Sequence, residues 1–144
     1  MGSRQLNISS FSFDGKKIIS SNDALCLTEI PESLMIVGGG VIGCEFATIF
    51  AALGSHVIIV EALSRLLPLS SVDENCSKVL QREMKKRKIN FMVNQTVERV
   101  EEKAGKCHVT IGSSPFDSMR KERDLNTQKM EVEKVLVCIG RKPN

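Results

Sequence analysis

The sequence predicts an α/β fold in which a central parallel β-sheet is joined by an antiparallel β-meander that replaces one crossover helix. Residues 34–37 and 57–60 are continuous apolar segments, which are typical of parallel strands buried on both faces. Between them, apolar residues recur at helical spacing, so this part of the chain has the order of a right-handed β-α-β unit. Farther along, the apolar period shortens to two, which indicates antiparallel strands.

Composition describes an ordinary globular domain. Of the 144 residues, 42% are apolar and 26% are charged, and the formal net charge is +3, so charge gives no indication of a nucleic-acid partner. The longest apolar run is too short to span a bilayer, and the first residues lack the pattern of a secretory signal. We therefore expect a single domain that binds neither nucleic acid nor a membrane.

The cysteines indicate reduced thiols rather than a disulfide framework or a metal site. Their number is odd, their spacings are wide, and none forms a CxxC motif or clusters with His56 or His108. The five are Cys26, Cys44, Cys76, Cys107 and Cys138. The cytoplasm is the compartment that fits this pattern best, and no metal is expected.

The first thirty residues are predicted to lead into the domain, which would span residues 31–144. A turn at Asp14 and Gly15 precedes a short strand, and the polar residues 20–22 offer caps for one or two helical turns. Pro31 then interrupts the pattern just before the first buried strand.

Two longer helices are predicted together with their ends. The first is expected to stop at Gly54, and its apolar face would consist of Ile42, Phe46, Ile49, Phe50 and Leu53. The second opens with a capping box at Ser71 and Glu74 and ends in the basic residues 85–88, which suit the negative end of the helix dipole. Its apolar positions are Val72, Cys76, Val79, Leu80 and Met84.

The second half of the chain is predicted to be mostly strand. Residues 89–93 form one strand, and a turn at residues 104–106 separates two strands of the meander. Residues 113–129 carry many charges and no sustained period, which predicts a long hairpin loop or a mobile insertion. A final buried strand over residues 135–139 is expected to stop at Gly140.

Three glycines follow the first apolar strand and open the first long helix. Gly38, Gly40 and Gly43 have the spacing GxGxxG, in which the glycines permit a tight turn, a close approach of backbone to pyrophosphate, and close packing of helix on strand. The helix start supplies unpaired N–H groups and a favourable dipole for the phosphates. This arrangement predicts a Rossmann-like βαβ dinucleotide-binding domain.

A single acid, Glu61, stands at the end of the second apolar strand. A carboxylate at this place accepts hydrogen bonds from the hydroxyls of an adenosine ribose and repels a 2′-phosphate. Ala62 and Leu63 follow where an NADP site places arginine or lysine. The sequence therefore predicts NAD rather than NADP, with Arg65, the nearest cation, as the feature that leaves NADP as an alternative.

No other pattern in the sequence predicts catalytic residues. The chain contains no tyrosine, which excludes the Tyr-Lys acid of short-chain dehydrogenases. His56 and His108 are interpreted as structural or solvated, Cys44 as a small buried residue, and Glu45 as a complement to the helix dipole. The residues alone thus predict a cofactor-binding module that lacks catalytic groups of its own.

The sequence resembles the NAD-binding domain of the flavin-dependent pyridine nucleotide disulfide oxidoreductases. The resemblance rests on "IPESLMIVGGGVIGCEFATIFAALGSHVIIVE", "LLPLSSVDENCSKVLQREMKKRKINF" and the closing "VLVCIGRKPN", and "FDGKKIISSNDAL" is similar to the segment that enters that domain. It covers residues from about 13 to 144 except 113–129. Within the family, the chain is most similar to members that oxidise dihydrolipoamide.

The resemblance implies that NAD lies across the carboxyl edge of the sheet, with its nicotinamide on an FAD that other domains bind. Hydride would pass between the two, and a redox disulfide would exchange electrons with dihydrolipoamide. Residues 1–30 would then lead in from the preceding FAD domain. Eleven positions are thereby expected to contact the cofactors: Gly38, Gly39, Gly40, Val41, Ile42, Gly43, Glu45, Glu61, Ala62, Val97 and Gly140.

Each group of these positions has its own implied role. The first four glycines would hold the pyrophosphate, Glu61 the adenosine ribose, and Val97 the adenine. Val41, Ile42 and Glu45 would lie near the nicotinamide and flavin, with the last glycine on the opposite side of the nicotinamide.

The resemblance also implies partners. These are the FAD and interface domains of the full-length enzyme, a homodimeric parent, and, through lipoyl domains, a 2-oxoacid dehydrogenase complex or the glycine cleavage system. In a eukaryote the location would be the mitochondrial matrix. The family's CxxxxC redox pair, FAD fingerprint and His-Glu pair are not found in these 144 residues, so the isolated chain is expected to be inactive.

Three alternatives remain at this point. In the first, the chain is a free-standing NAD-sensing module, for which residues 113–129 are the only evident partner surface. Or it is a complete small dehydrogenase or a methyltransferase, against which the missing tyrosine and the closing "GRKPN" both argue. Or it belongs to a related reductase that acts on mercuric ion, coenzyme A disulfide or ferredoxin.

Overall fold

A computed structural model describes residues 2–6, 10, 12–117 and 126–144. Over these residues the chain forms ten strands and three helices. The strands are β1 (Ser3–Gln5), β2 (Ile18–Ile19), β3 (Ser33–Val37), β4 (His56–Val60), β5 (Asn90–Met92), β6 (Gln95–Lys103), β7 (Lys106–Ser113), β8 (Gln128–Val132), β9 (Lys134–Val137) and β10 (Arg141–Pro143). The helices are α1 (Ser21–Leu25), α2 (Val41–Ala52) and α3 (Glu74–Lys86).

The central sheet is parallel, as predicted. Its strand order is β2-β9-β3-β4-β5, and β3 pairs with β4 from Ser33 opposite His56 to Val37 opposite Val60. The chain therefore runs from β3 to β4 on one side, whereas β9 returns to the other side of β3. Such a reversal of strand order leaves a crevice at the carboxyl ends of the strands.

The antiparallel meander is also confirmed. Strands β6, β7 and β8 form a separate three-stranded sheet. The turn between the first two consists of Ala104 and Gly105, whose φ angles are 51° and 76°, and left-handed backbone at both positions matches the twist of a two-residue hairpin. A bulge lies between Val97 and Arg99, so this strand bends near the carboxyl edge of the parallel sheet.

The parallel sheet is covered by helices on one face and by the meander on the other. Along β3, Ile36 packs with Phe46 and Met84 of the helices, whereas Val37 packs with Val109 of the meander. Both faces of the strand are thus buried, which explains its continuous apolar sequence. The meander occupies the place of a crossover helix, in agreement with the predicted fold class.

The segment predicted as a lead-in contributes to the sheet and to the core. The carboxylate of Asp14 accepts hydrogen bonds from the backbone N–H groups of Lys16, Lys17 and Ile18, which forms the predicted turn. Strand β2 then pairs in parallel with β9, and Ile19 is fully buried. The packed core thus includes residues that precede Pro31, and the division of the chain at residue 31 stays a prediction. That residues 1–30 lead in from an FAD domain also stays a prediction.

Helix α2 ends as predicted, but it buries a different face. Gly54 follows the helix with a φ of +101°, and Phe46 and Phe50 lie in the core. Ile49 and Leu53, however, are 50% and 54% exposed. The buried face consists instead of Gly43, Cys44, Phe46, Ala47 and Phe50, because small residues let the helix lie close to the sheet.

Helix α3 differs from the prediction at its start and along its face. Its N-cap is Asp73, whose side chain accepts from the N–H of Asn75, so the capping box at Ser71 and Glu74 was wrong. An acid directly before the helix is the nearer acceptor for the free N–H groups. Met84 is buried as expected, whereas Cys76 and Val79 are exposed.

The carboxyl-terminal part differs from the prediction in three places. Strand β9 ends at Val137, two residues early, and β10 follows Gly140 and pairs with β1, which was not predicted. Strand β8 begins at Gln128, inside the predicted 113–129 loop. Residues 118–125 of that loop lie outside the described residues.

Candidate dinucleotide-binding cleft

A cleft of about 830 Å³ runs along the carboxyl ends of β9, β3 and β4. Eight of the eleven predicted contact residues line it: Gly38, Gly40, Val41, Ile42, Glu61, Ala62, Val97 and Gly140. Gly39, Gly43 and Glu45 are not among its lining residues. Gly39 donates its N–H to Glu61, Gly43 packs against the Gly38 carbonyl, and Glu45 is exposed on α2.

Two of the glycines are required by the backbone itself. Gly38 has a φ of +107°, and a Cβ at this position would lie 2.5 Å from the carbonyl oxygen of Cys138. A Cβ on Gly43 would overlap the carbonyl oxygen of Gly38. The first glycine therefore permits the turn out of β3, and the third permits α2 to pack against that turn, in agreement with the expected division of roles.

Gly40 differs from both because the fold does not require it. Its φ is −74°, which any residue adopts, and an added Cβ would meet nothing within 4 Å. The residue is the N-cap of α2, where no side chain caps the first turn and no acid occurs within that turn. The start of the helix thus presents its N–H groups and its positive dipole end beside an open space in the cleft.

Glu61 is buried and braces the glycine-rich turn. The carboxylate is 7% exposed, and its two oxygens accept hydrogen bonds from the N–H of Gly39 at 2.6 Å and from the N–H of Leu63 at 2.8 Å. A carboxylate has about four acceptor sites, so two remain for groups in the cleft that this residue lines. Sequence reasoning missed the contact with Gly39, because the spacing of the two residues gives no sign of it.

Arg65 is engaged in the loop that connects β4 to α3. Its guanidinium donates to the hydroxyl of Ser77 at 2.5 Å and to the carbonyl oxygens of Leu69 at 3.1 Å and Val72 at 2.9 Å. The side chain is absent from the lining of the main cleft. Arg65 therefore stabilises the 66–73 loop against α3, and three of its donors are already used.

Two thiols lie at the cleft and behind it. Burial raises the pKa of the Cys44 thiol to about 11, and the charge of Glu61 adds to this effect. Burial likewise raises the pKa of Cys138 to about 12, with a further contribution from Cys44. Both thiols therefore stay protonated at neutral pH and are poor nucleophiles. The interpretation of Cys44 as a small buried residue is confirmed.

Neither histidine lies at the cleft. His56 begins β4, at the opposite end of the strand from Glu61. His108 lies on β7, with Nε2 at 3.6 Å from the Glu131 carboxylate. Within residues 2–6, 10, 12–117 and 126–144, no group of three or more His, Cys, Asp or Glu side chains is placed to hold a metal ion. Over the same residues, every helix is too short or too polar to cross a bilayer.

The chain is similar in sequence and in fold to known proteins. A dihydrolipoyl dehydrogenase of Bacillus subtilis is 39% identical over 142 residues, which are 99% of this chain and 28% of that protein. The structure of the Escherichia coli flavoprotein disulfide reductase RclA matches with a TM-score of 0.78 and 27% identity, over 99% of this chain and 29% of that one. LpdA of Mycobacterium tuberculosis has the same fold, with a TM-score of 0.82 and 24% identity over 99% of this chain and 28% of its own.

The family follows from a match that extends over the whole sequence. The chain spans 28% of the Bacillus subtilis relative. The family model described as pyridine nucleotide-disulphide oxidoreductase matches residues 1–144. The chain therefore belongs to the pyridine nucleotide-disulphide oxidoreductase family.

Proposed function

We propose that this chain is the NAD(H)-binding domain of a dihydrolipoyl dehydrogenase. The observation that carries the proposal is the open space beside Gly40. A glycine that the backbone does not need, at an uncapped helix start that faces a cleft, is explained by a ligand that must approach the main chain. The cleft of about 830 Å³ is within the range of cofactor sites.

The residues of the cleft fit a dinucleotide pyrophosphate at the start of α2. The N–H groups of its first turn donate to the phosphate oxygens, and Gly40 lets these oxygens reach the backbone. Gly39 contributes indirectly, because its own N–H is held by Glu61. We therefore assign Gly39 and Gly43 to shaping the turn, and Gly38 and Gly40 to the surface that the phosphates contact.

The same cleft favours NAD over NADP. The Glu61 carboxylate lines the cleft and retains acceptor sites for the ribose hydroxyls. A 2′-phosphate beside this buried carboxylate would meet charge repulsion. Arg65, the cation that left NADP open, already donates to Ser77, Leu69 and Val72. Its release would break three hydrogen bonds, so it is a poor phosphate ligand here.

The nicotinamide end of the cleft is assigned to the side of β9. Val41 and Ile42 of α2 line the cleft together with Ile139 and Gly140, which follow β9. Val41 and Ile139 are 48% and 40% exposed, so they offer apolar surface to a flat ring. When bound, NAD exchanges a hydride at its nicotinamide. The part of this chain is to bind and orient the dinucleotide.

The activity of the whole protein belongs to the same proposal. The FAD, the redox disulfide and the acid–base pair would be held by domains outside this chain, so the isolated chain would bind NAD without turnover. Through lipoyl domains, the homodimeric parent would serve a 2-oxoacid dehydrogenase complex or the glycine cleavage system, in the cytoplasm or the mitochondrial matrix. The relatives named dihydrolipoyl dehydrogenase support this choice over the related reductases.

A side-by-side titration with NAD, NADH and NADPH tests the proposal. NADH fluorescence is excited at a wavelength where protein side chains do not absorb, so it follows the binding of NADH directly, and calorimetry provides the values for NAD. We expect NAD and NADH to bind with dissociation constants near a millimolar, or about −4 kcal/mol, because the flavin side of the site lies on other domains. NADPH should bind more weakly than NADH. Equal affinity for NADH and NADPH would contradict the role of Glu61.

A further inference from the structure

Exposed apolar side chains gather at the Glu61 end of the cleft. Leu63, Leu69 and Phe116 are 40%, 41% and 69% exposed, and all three line the cleft. We call these three residues the apolar rim. Large exposed apolar groups clustered at a concave site mark a place where a ligand covers them. Phe116 is the most exposed of the three, and among residues 2–6, 10, 12–117 and 126–144 it is the only aromatic residue that lines the cleft.

A short turn fixes the position of Phe116. Ser114 is 5% exposed, and its N–H donates to the carbonyl oxygen of Asn94 at 2.9 Å. The N–H of Asp117 returns to the carbonyl oxygen of Ser114 at 3.4 Å, and the N–H of Phe116 donates to the Ser114 hydroxyl at 3.1 Å. Pro115 suits the second position of such a turn. The buried serine thus anchors the turn to the segment after β5 and presents the phenyl ring at the cleft.

The strand order places this ring beyond the ribose. Along the sheet edge the strands follow as β9, β3, β4 and β5, so Gly140, Gly38, Glu61 and Asn94 succeed one another. With the pyrophosphate at α2 and a ribose at Glu61, the base attached to that ribose extends toward β5. Asn94 donates its N–H to the carbonyl oxygen of Leu63 at 2.9 Å, which joins the rim to the anchor of the Phe116 turn.

We propose that Phe116 is the stacking platform for the adenine ring of the dinucleotide. This inference rests on the proposed function, and it adds a ligand-contacting residue to the eleven predicted positions. Val97 is only 6% exposed and forms part of the floor of the cleft, whereas Phe116 provides an exposed aromatic face. A purine and a phenyl ring attract each other through offset stacking, and the stack withdraws apolar surface of both from water.

The test compares Phe116→Ala and Phe116→Leu with the unchanged chain. Each is titrated with NADH, followed by its fluorescence, and with ADP-ribose, followed by calorimetry. ADP-ribose retains the adenine, the riboses and the pyrophosphate but lacks nicotinamide. Leu53→Ala is the matched control, because Leu53 is 54% exposed at the far end of α2. Thermal unfolding of all variants verifies that they are folded.

Phe116→Ala should weaken NADH and ADP-ribose by the same factor, about 5- to 10-fold, near the lower end of the range for loss of an aromatic–base stack. Phe116→Leu should be weakened almost as much as Phe116→Ala, since leucine has no ring face. Leu53→Ala should bind both ligands as the unchanged chain does. Unchanged affinity in Phe116→Ala, full affinity in Phe116→Leu, or an effect on NADH alone would each overturn the role of Phe116. If the unchanged chain binds neither ligand, the proposed function itself fails.

Discussion

The carboxylate of Glu61 accepts a hydrogen bond from the backbone N–H of Gly39 at 2.6 Å, which ties the end of β4 to the glycine-rich turn after β3. The same carboxylate holds the N–H of Leu63 at 2.8 Å. One acid therefore fixes the two backbone segments between which the cleft opens. Glu61 thus has a structural role in addition to its expected role in ribose binding, and experiment can separate the two roles.

Glu61→Ala should lower the free energy of unfolding by about 1–3 kcal/mol, because the buried N–H of Gly39 and the part-buried N–H of Leu63 lose their acceptor. Urea unfolding followed by circular dichroism measures the loss. Exposed Glu29 provides the control, and Glu29→Ala should unfold at the same urea concentration as the unchanged chain. If Glu61→Ala also unfolds at that concentration, the bond to Gly39 has no part in holding the turn.

Substitution by alanine should destabilise the fold at Gly43 much more than at Gly40. A Cβ on Gly43 overlaps the Gly38 carbonyl oxygen, and such overpacking costs about 1–3 kcal/mol of stability. A Cβ on Gly40 meets open space, so Gly40→Ala should cost less than Gly43→Ala, at most about the 1 kcal/mol that alanine typically costs at a helix N-cap. Equilibrium unfolding of the two variants provides the comparison. Equal destabilisation of both would contradict the assignment of Gly40 to a ligand.

Arg65→Met should loosen the 66–73 loop without creating or removing a preference for NADPH. The substitution removes hydrogen bonds to Ser77, Leu69 and Val72 but keeps most of the apolar stem. Limited proteolysis should therefore cut this loop faster in the variant. NADPH titration checks the other half of the prediction, and a specific loss of NADPH affinity would show that Arg65 reaches the 2′-phosphate.

Alkaline pH should destabilise the chain through its buried thiols. The pKa values of Cys44 and Cys138 are raised from an ordinary 9.0 to about 11 and about 12, mainly by burial. The unfolded chain therefore releases these protons before the folded one does. Their contribution to stability is complete below pH 9 and is lost as the pH rises toward 11 to 12.

Unfolding by urea at pH 7, 9 and 10.5 measures this dependence. The double variant Cys44→Ala with Cys138→Ala should show a smaller decrease in stability between pH 9 and 10.5 than the unchanged chain. An identical decrease in both proteins would mean that other groups cause it. For each protein, the free energy of unfolding at pH 7 is the reference for the values at higher pH.

The predictable part of the fold is the part governed by local sterics and by burial. Continuous apolar segments identified β3 and β4, and the glycine spacing identified the turn, because both patterns follow from contacts close in sequence. The buried face of α2 was harder to predict from the sequence. That helix is apolar on nearly all sides, so periodicity did not distinguish the buried Ala47 from the exposed Ile49.

Long-range contacts between polar segments could not be predicted. The pairing of β1 with β10 joins two short polar strands without a hydrophobic period. The bond from Gly39 to Glu61 depends on the strand order rather than on spacing. Phe116 stood in a segment that the sequence assigned only to a loop, and its place at the cleft depends on the hydrogen bond from Ser114 to Asn94.

The binding of NADH to the unchanged chain and to Gly40→Val is the most direct test of a dinucleotide site at the start of α2. Gly40 has an ordinary φ, and an added Cβ meets open space, so the variant should stay folded, with a melting temperature within a few degrees of that of the unchanged chain. Its side chain would fill the place assigned to the pyrophosphate. NADH fluorescence should report saturable binding to the unchanged chain and none to Gly40→Val. Equal binding by both folded proteins would contradict a dinucleotide site at the start of α2.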